Sequence, residues 1–223
     1  MPDPSQLVAH RGFAGEYPEN TIEALERAIE LGLDKVEIDV QLTSDGVPVM
    51  LHDDDLKRTK GVDRSIFDIR SSELSNYNLE SLRQVVEWGQ SNPIVKIFVE
   101  LKGESIRHHG VEASVKAIAE TCKPIIDRCV FISFDAPACG LALPSGFKKM
   151  GWVLPSHDDI TKKVCMGLNP DYIFCDVACN AGDYWNGGWK WVVYEVVDRN
   201  VAQELIDRGV DLIESKRPNE LFD

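Results

Sequence analysis

Glu37 and Asp39 stand two residues apart inside the apolar run Val36-Glu37-Ile38-Asp39-Val40. In a β-strand alternate side chains share a face, so the two carboxylates project together. Two charges buried on one strand face are costly unless something neutralises them, and a bound metal does so. The alternative, a solvated face on an edge strand, fits poorly with the apolar flanks. Ile97-Phe98-Val99-Glu100-Leu101-Lys102 repeats the alternation, with Glu100 and Lys102 on one face. His10 and Arg11 close a third run, Leu7-Val8-Ala9. Three carboxylates suit one hard divalent cation with oxygen ligands, Mg2+ or Ca2+. The cation, Arg11 and Lys102 would bind phosphate and offset charge in a transition state. Two histidines can divide the work of general base and general acid.

The second histidine is His52, and a turn argues for its place. Asp45-Gly46 is a strong two-residue hairpin signal. With those two in the loop, Ser44 pairs with Val47, and continuing the ladder sets Asp39 opposite His52. Cross-strand partners share a face with Cβ atoms ~5 Å apart. A shift of one residue in the turn would send His52 to the other face.

These side chains need a scaffold. Strand-like runs occur at Leu7–His10, Lys35–Leu42, Val47–His52, Val95–Lys102, Cys129–Phe134, Lys149–Leu154, Tyr172–Asp176, Trp191–Val197 and Asp211–Ser215. Amphipathic helical stretches lie between many of them, such as Ile22–Leu31 and Val201–Arg208, the latter ending at Gly209. Strand–helix alternation predicts a parallel sheet buried on both faces. Val47–His52 follows its predecessor too closely for a parallel crossover and must form a hairpin. Eight parallel strands remain. The expected fold is a single (β/α)8 TIM-type barrel over residues 1–223, with an extra hairpin strand after the second barrel strand. In such a barrel, polar residues at the C-terminal strand ends converge on the mouth.

Composition narrows the partners. A net charge of −13 argues against nucleic acid or an anionic membrane, which need a cationic surface. No apolar run approaches the ~20 residues of a membrane span, and Met1-Pro2-Asp3-Pro4 carries no basic leader. Several of the six cysteines lie in or beside apolar runs, which suggests buried reduced thiols and a cytoplasmic address. Cys175 and Cys179 have no second pair to complete a zinc site. The sequence leaves homo-oligomerisation open.

The motifs His10-Arg11-Gly12, Pro18-Glu19-Asn20-Thr21, Glu37-Ile-Asp39-Val, Thr43-Ser-Asp45-Gly46, His52-Asp53, Leu56-Lys-Arg58-Thr59 and Glu100-Leu-Lys102 follow one another in order. In that arrangement the chain resembles the glycerophosphodiester phosphodiesterase family, with weaker echoes at Ser133-Phe134-Asp135, Gly209-Val210-Asp211 and Arg217-Pro218. The resemblance implies a TIM barrel that cleaves glycerophosphodiesters to glycerol 3-phosphate and an alcohol. It implies Glu37, Asp39 and Glu100 as metal ligands, His10 and His52 as the acid–base pair, and Arg11 and Lys102 as phosphate contacts. Lysophospholipase D or sphingomyelinase D-like headgroup hydrolysis, and a non-catalytic ligand-binding barrel, are the alternatives.

Two stretches depart from the family pattern. Tyr194-Glu195-Val196-Val197 stands where Trp-Thr-Val-Asn is usual, and Glu214 precedes Ser215-Lys216-Arg217-Pro218 where Thr-Asp-Arg-Pro is common. The segment between His52 and Glu100 leaves no room for a capping insertion of any size. All three differences are expected to touch the substrate mouth and spare the metal and histidine core.

Other residues have plainer readings. Asn20 or Thr21 would cap the first helix. His108 and His109 would be solvated, and His157 would lie in a loop. Asp53 would orient His52 from behind. Tyr184, Trp185, Trp189 and Trp191, interleaved with Gly182, Gly187 and Gly188, would form a flap on substrate or fill a loop over the barrel end.

Overall fold

The computed structural model describes residues 2–179 and 184–222, so Gly182 lies outside the described residues. The described strands are β1 (Leu7–Ala9), β2 (Lys35–Leu42), β3 (Pro48–Met50), β4 (Lys96–Leu101), β5 (Cys129–Ser133), β6 (Lys149–Val153), β7 (Tyr172–Asp176), β8 (Lys190–Tyr194) and β9 (Leu212–Ser215). All but β3 are parallel and close into a ring, because β1 pairs with both β9 and β2. Strand β3 hangs antiparallel on the far end of β2. This is the eight-stranded TIM-type barrel with one extra hairpin strand that the sequence predicts.

Helices α1 (Ile22–Glu30), α2 (Lys57–Lys60), α3 (Leu82–Ser91), α4 (Gly103–His109), α5 (Val111–Cys122), α6 (Ala136–Ala142), α7 (Asp159–Leu168) and α8 (Arg199–Asp207) follow the strands. The N-cap of α1 is Thr21, whose hydroxyl accepts from Ala24 N at 3.2 Å, and the helix buries Ala24, Leu25 and Ala28 against the sheet.

Strand alternation separates two apolar layers. Val36, Ile38, Val40, Ile97, Val99 and Leu101 face the helices. Val8, Phe98, Val130, Phe174, Val192 and Leu212 fill the barrel's interior, where Phe98 meets Tyr172 and Phe174 edge-on at 5.1 and 5.4 Å. One step of two residues further along each strand, the interior turns polar: Val8 leads to His10, Phe98 to Glu100, and Leu212 to Glu214. The apolar floor thus ends where the mouth begins.

Between β7 and β8 the described residues contain a short 3-10 turn, Val177–Cys179, and no α-helix. The aromatic segment takes the missing helix's place on the barrel wall. Trp191 faces outward and meets Tyr184 and Trp185, with ring centroids 5.0 and 5.7 Å away, and His157 stacks on Trp185 at 4.3 Å. The Trp185 carbonyl accepts from both the Trp189 and Trp191 indoles at 3.2 Å. These rings therefore cover the side of the barrel, not its end, and the substrate-flap reading does not hold. His157 is held in this wall, away from the mouth.

The hairpin differs from its predicted register. Val40 pairs with Met50 and Leu42 with Pro48, so Asp39 aligns with Leu51 and not with His52. The loop has three residues, Ser44-Asp45-Gly46, because Thr43 N bonds the Val47 carbonyl at 3.0 Å. Asp45 is drawn off the turn: its carboxylate accepts from Thr43 Oγ1 at 2.6 Å and from Ser71 N and Oγ at 2.8 Å. Those bonds, Thr43's first, hold the Asp45 carboxyl down at about 2. Gly46 supplies the left-handed residue this loop needs, φ +76°, with open space where a Cβ would stand. Gly46→Ala should therefore cost backbone strain alone, about 1 kcal/mol. Urea unfolding measures it, and an unchanged midpoint would mean the loop can relax to another form.

Candidate active site

Glu37, Asp39 and Glu100 offer one oxygen each within 4.8 Å of one another, and all three side chains are buried. The parallel pairing of β2 with β4 sets Asp39 beside Glu100. Glu37 Oε2 accepts from Arg11 N at 3.0 Å, whereas Oε1 finds no hydrogen-bond partner among the described residues. Burial, then repulsion by Asp39, pushes the Glu37 carboxyl well above its ordinary range, and burial raises Glu100 too. Asp39 goes the other way. Burial opposes its charge, but Lys102 and Arg11 outweigh it and hold the carboxyl low. A compact set of hard oxygen donors with a buried, unpartnered oxygen fits a divalent cation.

The basic groups lie on the same site. Lys102 Nζ donates to Glu100 at 2.7 Å and to Asp39 at 3.1 Å, so its ammonium stays charged although burial opposes it. Arg11 sits at φ +56°, which aims its side chain back over β2. Its Nη1 reaches Glu19 at 3.1 Å, and its Nε lies 3.0 Å from Asp39 Oδ2, off a hydrogen-bonding line.

His10, only 8% exposed, stands just beyond β1 with Nε2 4.0 Å from Glu37. Burial, then the Arg11 charge, lowers its pKa to about 4. His52 reaches the same cavity from the loop after β3. It does so despite the shifted register because the ladder stops at Met50 and Leu51, freeing the next residue to turn inward. His52 Nδ1 contacts Asp53 Oδ1 at 2.6 Å, the orienting contact the sequence suggests. Asp53 is itself held by Arg58 Nε at 2.7 Å, and Arg58 grips Glu19 through two bonds of 2.7 Å. All seven predicted site residues thus meet at one mouth, six of them around a cavity of about 200 Å3 with Glu37 behind.

The model of the glycerophosphoryl diester phosphodiesterase family matches residues 10–142. The chain belongs to this family. A glycerophosphodiester phosphodiesterase of Caldanaerobacter subterraneus is 35% identical over 243 aligned positions, covering 97% of this chain and 96% of that one. Another, of Bacillus altitudinis, is 35% identical over 143 positions, 58% of each chain. The match spans about three fifths of the length of the Bacillus relatives. A phosphodiesterase of Oleispira antarctica, solved in complex with the product sn-glycerol-3-phosphate, superposes with a TM-score of 0.80 at 25% identity, covering 97% of this chain and 94% of that one.

Three residues of the site exceed or escape the sequence reading. Asn20 is not a helix cap: at φ +56° it clamps Asp39, donating from Nδ2 to Oδ2 at 2.9 Å and accepting from Asp39 N at 3.0 Å. Glu195 and Glu214, the two departures from the glycerophosphodiester phosphodiesterase pattern, do not spare the histidine core. Glu195 lies 3.6 Å from His10 Nδ1 and Glu214 lies 3.5 Å from its Nε2. The signal for Glu214 was present, since Leu212-Ile213-Glu214 alternates as Phe98-Val99-Glu100 does. His108 and His109 end α4 outside the mouth, where His108 is exposed and stacked on Phe67 at 4.4 Å.

Proposed function

We propose that residues 1–223 work as one catalytic barrel that hydrolyses glycerophosphodiesters to glycerol 3-phosphate and an alcohol. The observation that carries this reading is the convergence of His10, His52, Arg11 and Lys102 on one small cavity beside the buried Glu37–Asp39–Glu100 triad. The sn-glycerol-3-phosphate bound to the Oleispira antarctica structure supports the product assignment.

In this reading Glu37, Asp39 and Glu100 hold one divalent cation, Mg2+ or Ca2+, which when bound stabilises negative charge on the phosphoryl oxygens. Arg11 and Lys102 sit beside that charge and orient the diester. One histidine takes the proton of the attacking water, or of a substrate hydroxyl whose cyclic phosphate a water then opens to glycerol 3-phosphate, and the other protonates the departing alcohol oxygen as its P–O bond breaks. Asp53 fixes the ring of His52, and Arg58 fixes Asp53. Asp53→Asn is therefore expected to lower kcat by about tenfold or more, a share of the ~10²–10⁴ that acid–base catalysis contributes. An unchanged kcat in that variant would leave His52 oriented by other means.

A groove of about 660 Å3 leads outward from His52, Lys102 and Phe134. Asp54, Lys57, Glu104 and Arg107 line it, which suits a short polar alcohol better than an acyl chain. No described helix is long and apolar enough to cross a membrane. The free cysteines, five of them buried, suit the reducing cytoplasm.

Phosphorus NMR of glycerophosphocholine incubated with the protein tests the reaction. Glycerol 3-phosphate is the expected phosphorus-bearing product. Phosphocholine instead would place the cleavage on the wrong side of phosphorus and sink the reading.

A further inference from the structure

Glu214 enters the barrel's interior from β9, one alternation step above Leu212, and is 3% exposed. Its Oε1 lies 3.5 Å from His10 Nε2, and its Oε2 finds no partner among the described residues. Burial first, then repulsion by Glu100 and Asp39, makes its ionisation costly in the absence of a counter-charge. An unpartnered carboxylate oxygen in such a place is expensive, and so is the matching Oε1 of Glu37.

The two orphaned carboxylates belong together. Glu37 and Glu214 each offer an oxygen, with a ring nitrogen of His10, within 4.8 Å, and Glu37 also belongs to the triad with Asp39 and Glu100. That span is what ligand atoms around one ion with bonds of about 2.3–2.6 Å can bridge. We propose that Glu214 is a fourth carboxylate of the cation centre and that it biases the centre towards Ca2+ over Mg2+. This rests on the reading above that the centre holds a divalent cation.

Coordination number and charge both give the bias. Ca2+ accepts about 6–8 oxygen ligands in flexible geometry, whereas Mg2+ keeps several waters and uses about one or two carboxylates. Four carboxylates against Arg11 and Lys102 also leave two negative charges, which one divalent ion neutralises. The ion thereby relieves the repulsion that the buried cluster otherwise carries.

Calorimetric titration of the chelator-stripped protein with CaCl2 and with MgCl2 tests the proposal, with circular dichroism confirming the fold of each variant. The unsubstituted chain should bind Ca2+ more tightly than Mg2+. Glu214→Gln and Glu214→Asp should each weaken Ca2+ binding by about tenfold or more and narrow the Ca2+/Mg2+ ratio. Glu195→Gln removes an equal charge from beside His10, but one shared with Lys216 at 3.2 Å, and should leave both affinities near those of the unsubstituted chain. Full Ca2+ affinity in Glu214→Asp, a loss in Glu214→Gln no larger than in Glu195→Gln, or an unchanged ion ratio would overturn it. If the folded, unsubstituted chain binds neither ion, the cation reading itself fails. If Glu37→Gln loses binding while Glu214→Gln keeps it, only the present proposal fails.

Discussion

Glu37→Gln is expected to abolish cation binding and cut turnover by about 10³-fold or more, ~4 kcal/mol of transition-state stabilisation, while raising the melting temperature of the cation-free protein. The first two effects follow from Glu37's place both in the triad with Asp39 and Glu100 and in the cluster with Glu214 and His10. The third follows from its burial. In the cation-free chain burial, then repulsion by Asp39, raises the Glu37 pKa well above its unfolded value, so the stability lent by its protonated form is complete below the ordinary carboxylate range and falls as pH rises through the folded pKa. Glutamine imitates the protonated form at every pH. The variant's gain should therefore be small near about pH 5 and larger near about pH 7.5, on the order of 1–3 kcal/mol, at about 2–4 °C per kcal/mol. Scanning calorimetry in chelator checks it. A gain that does not grow with pH, or a loss, would mean that Glu37 is already relieved by a partner.

The histidines should separate from the carboxylates in the opposite sense. His10→Ala and His52→Ala should each lower kcat by about 10²–10⁴-fold while cation affinity is largely kept. His10 is the sharper test, because its ring lies 3.5–4.0 Å from Glu37, Glu195 and Glu214. A fall in cation affinity parallel to the fall in kcat would make His10 a ligand and not a proton carrier. Normal turnover in His52→Ala would remove that residue from the chemistry. Steady-state rates measured alongside calorimetric titration distinguish these outcomes.

Much of this was legible in the chain itself. Period-two alternation placed Glu37, Asp39, Glu100 and Lys102 inside the barrel, and strand counting gave its closure, because both depend only on pleat geometry. The hairpin register was not legible. Asp45-Gly46 reads as a two-residue turn, but Asp45 is recruited by Thr43 and Ser71, and Ser71 lies 26 residues away. His52 still reaches the mouth because the ladder ends before it, at Met50 and Leu51.

Long-range packing hid other features. Asn20 looks like a helix cap because capping and carboxylate clamping use the same amide, and only the fold brings Asp39 to it. The Trp185 and Trp191 cluster looks like a flap because aromatic, glycine-spaced loops often are. Its place on the wall depends on the crossover from β7 to β8 carrying no helix among the described residues. Glu214 obeys the alternation rule, but as a departure from the family's usual motif it reads as part of the substrate mouth, and only the fold sets it beside His10.

The most direct test of the whole account is release of glycerol 3-phosphate from glycerophosphocholine and glycerophosphoethanolamine by chelator-stripped protein, before and after returning Ca2+ or Mg2+. Release should be absent in chelator and restored by a divalent ion. Equal release with and without chelator would contradict the cation centre, and no release under any condition from folded protein would contradict the assigned reaction.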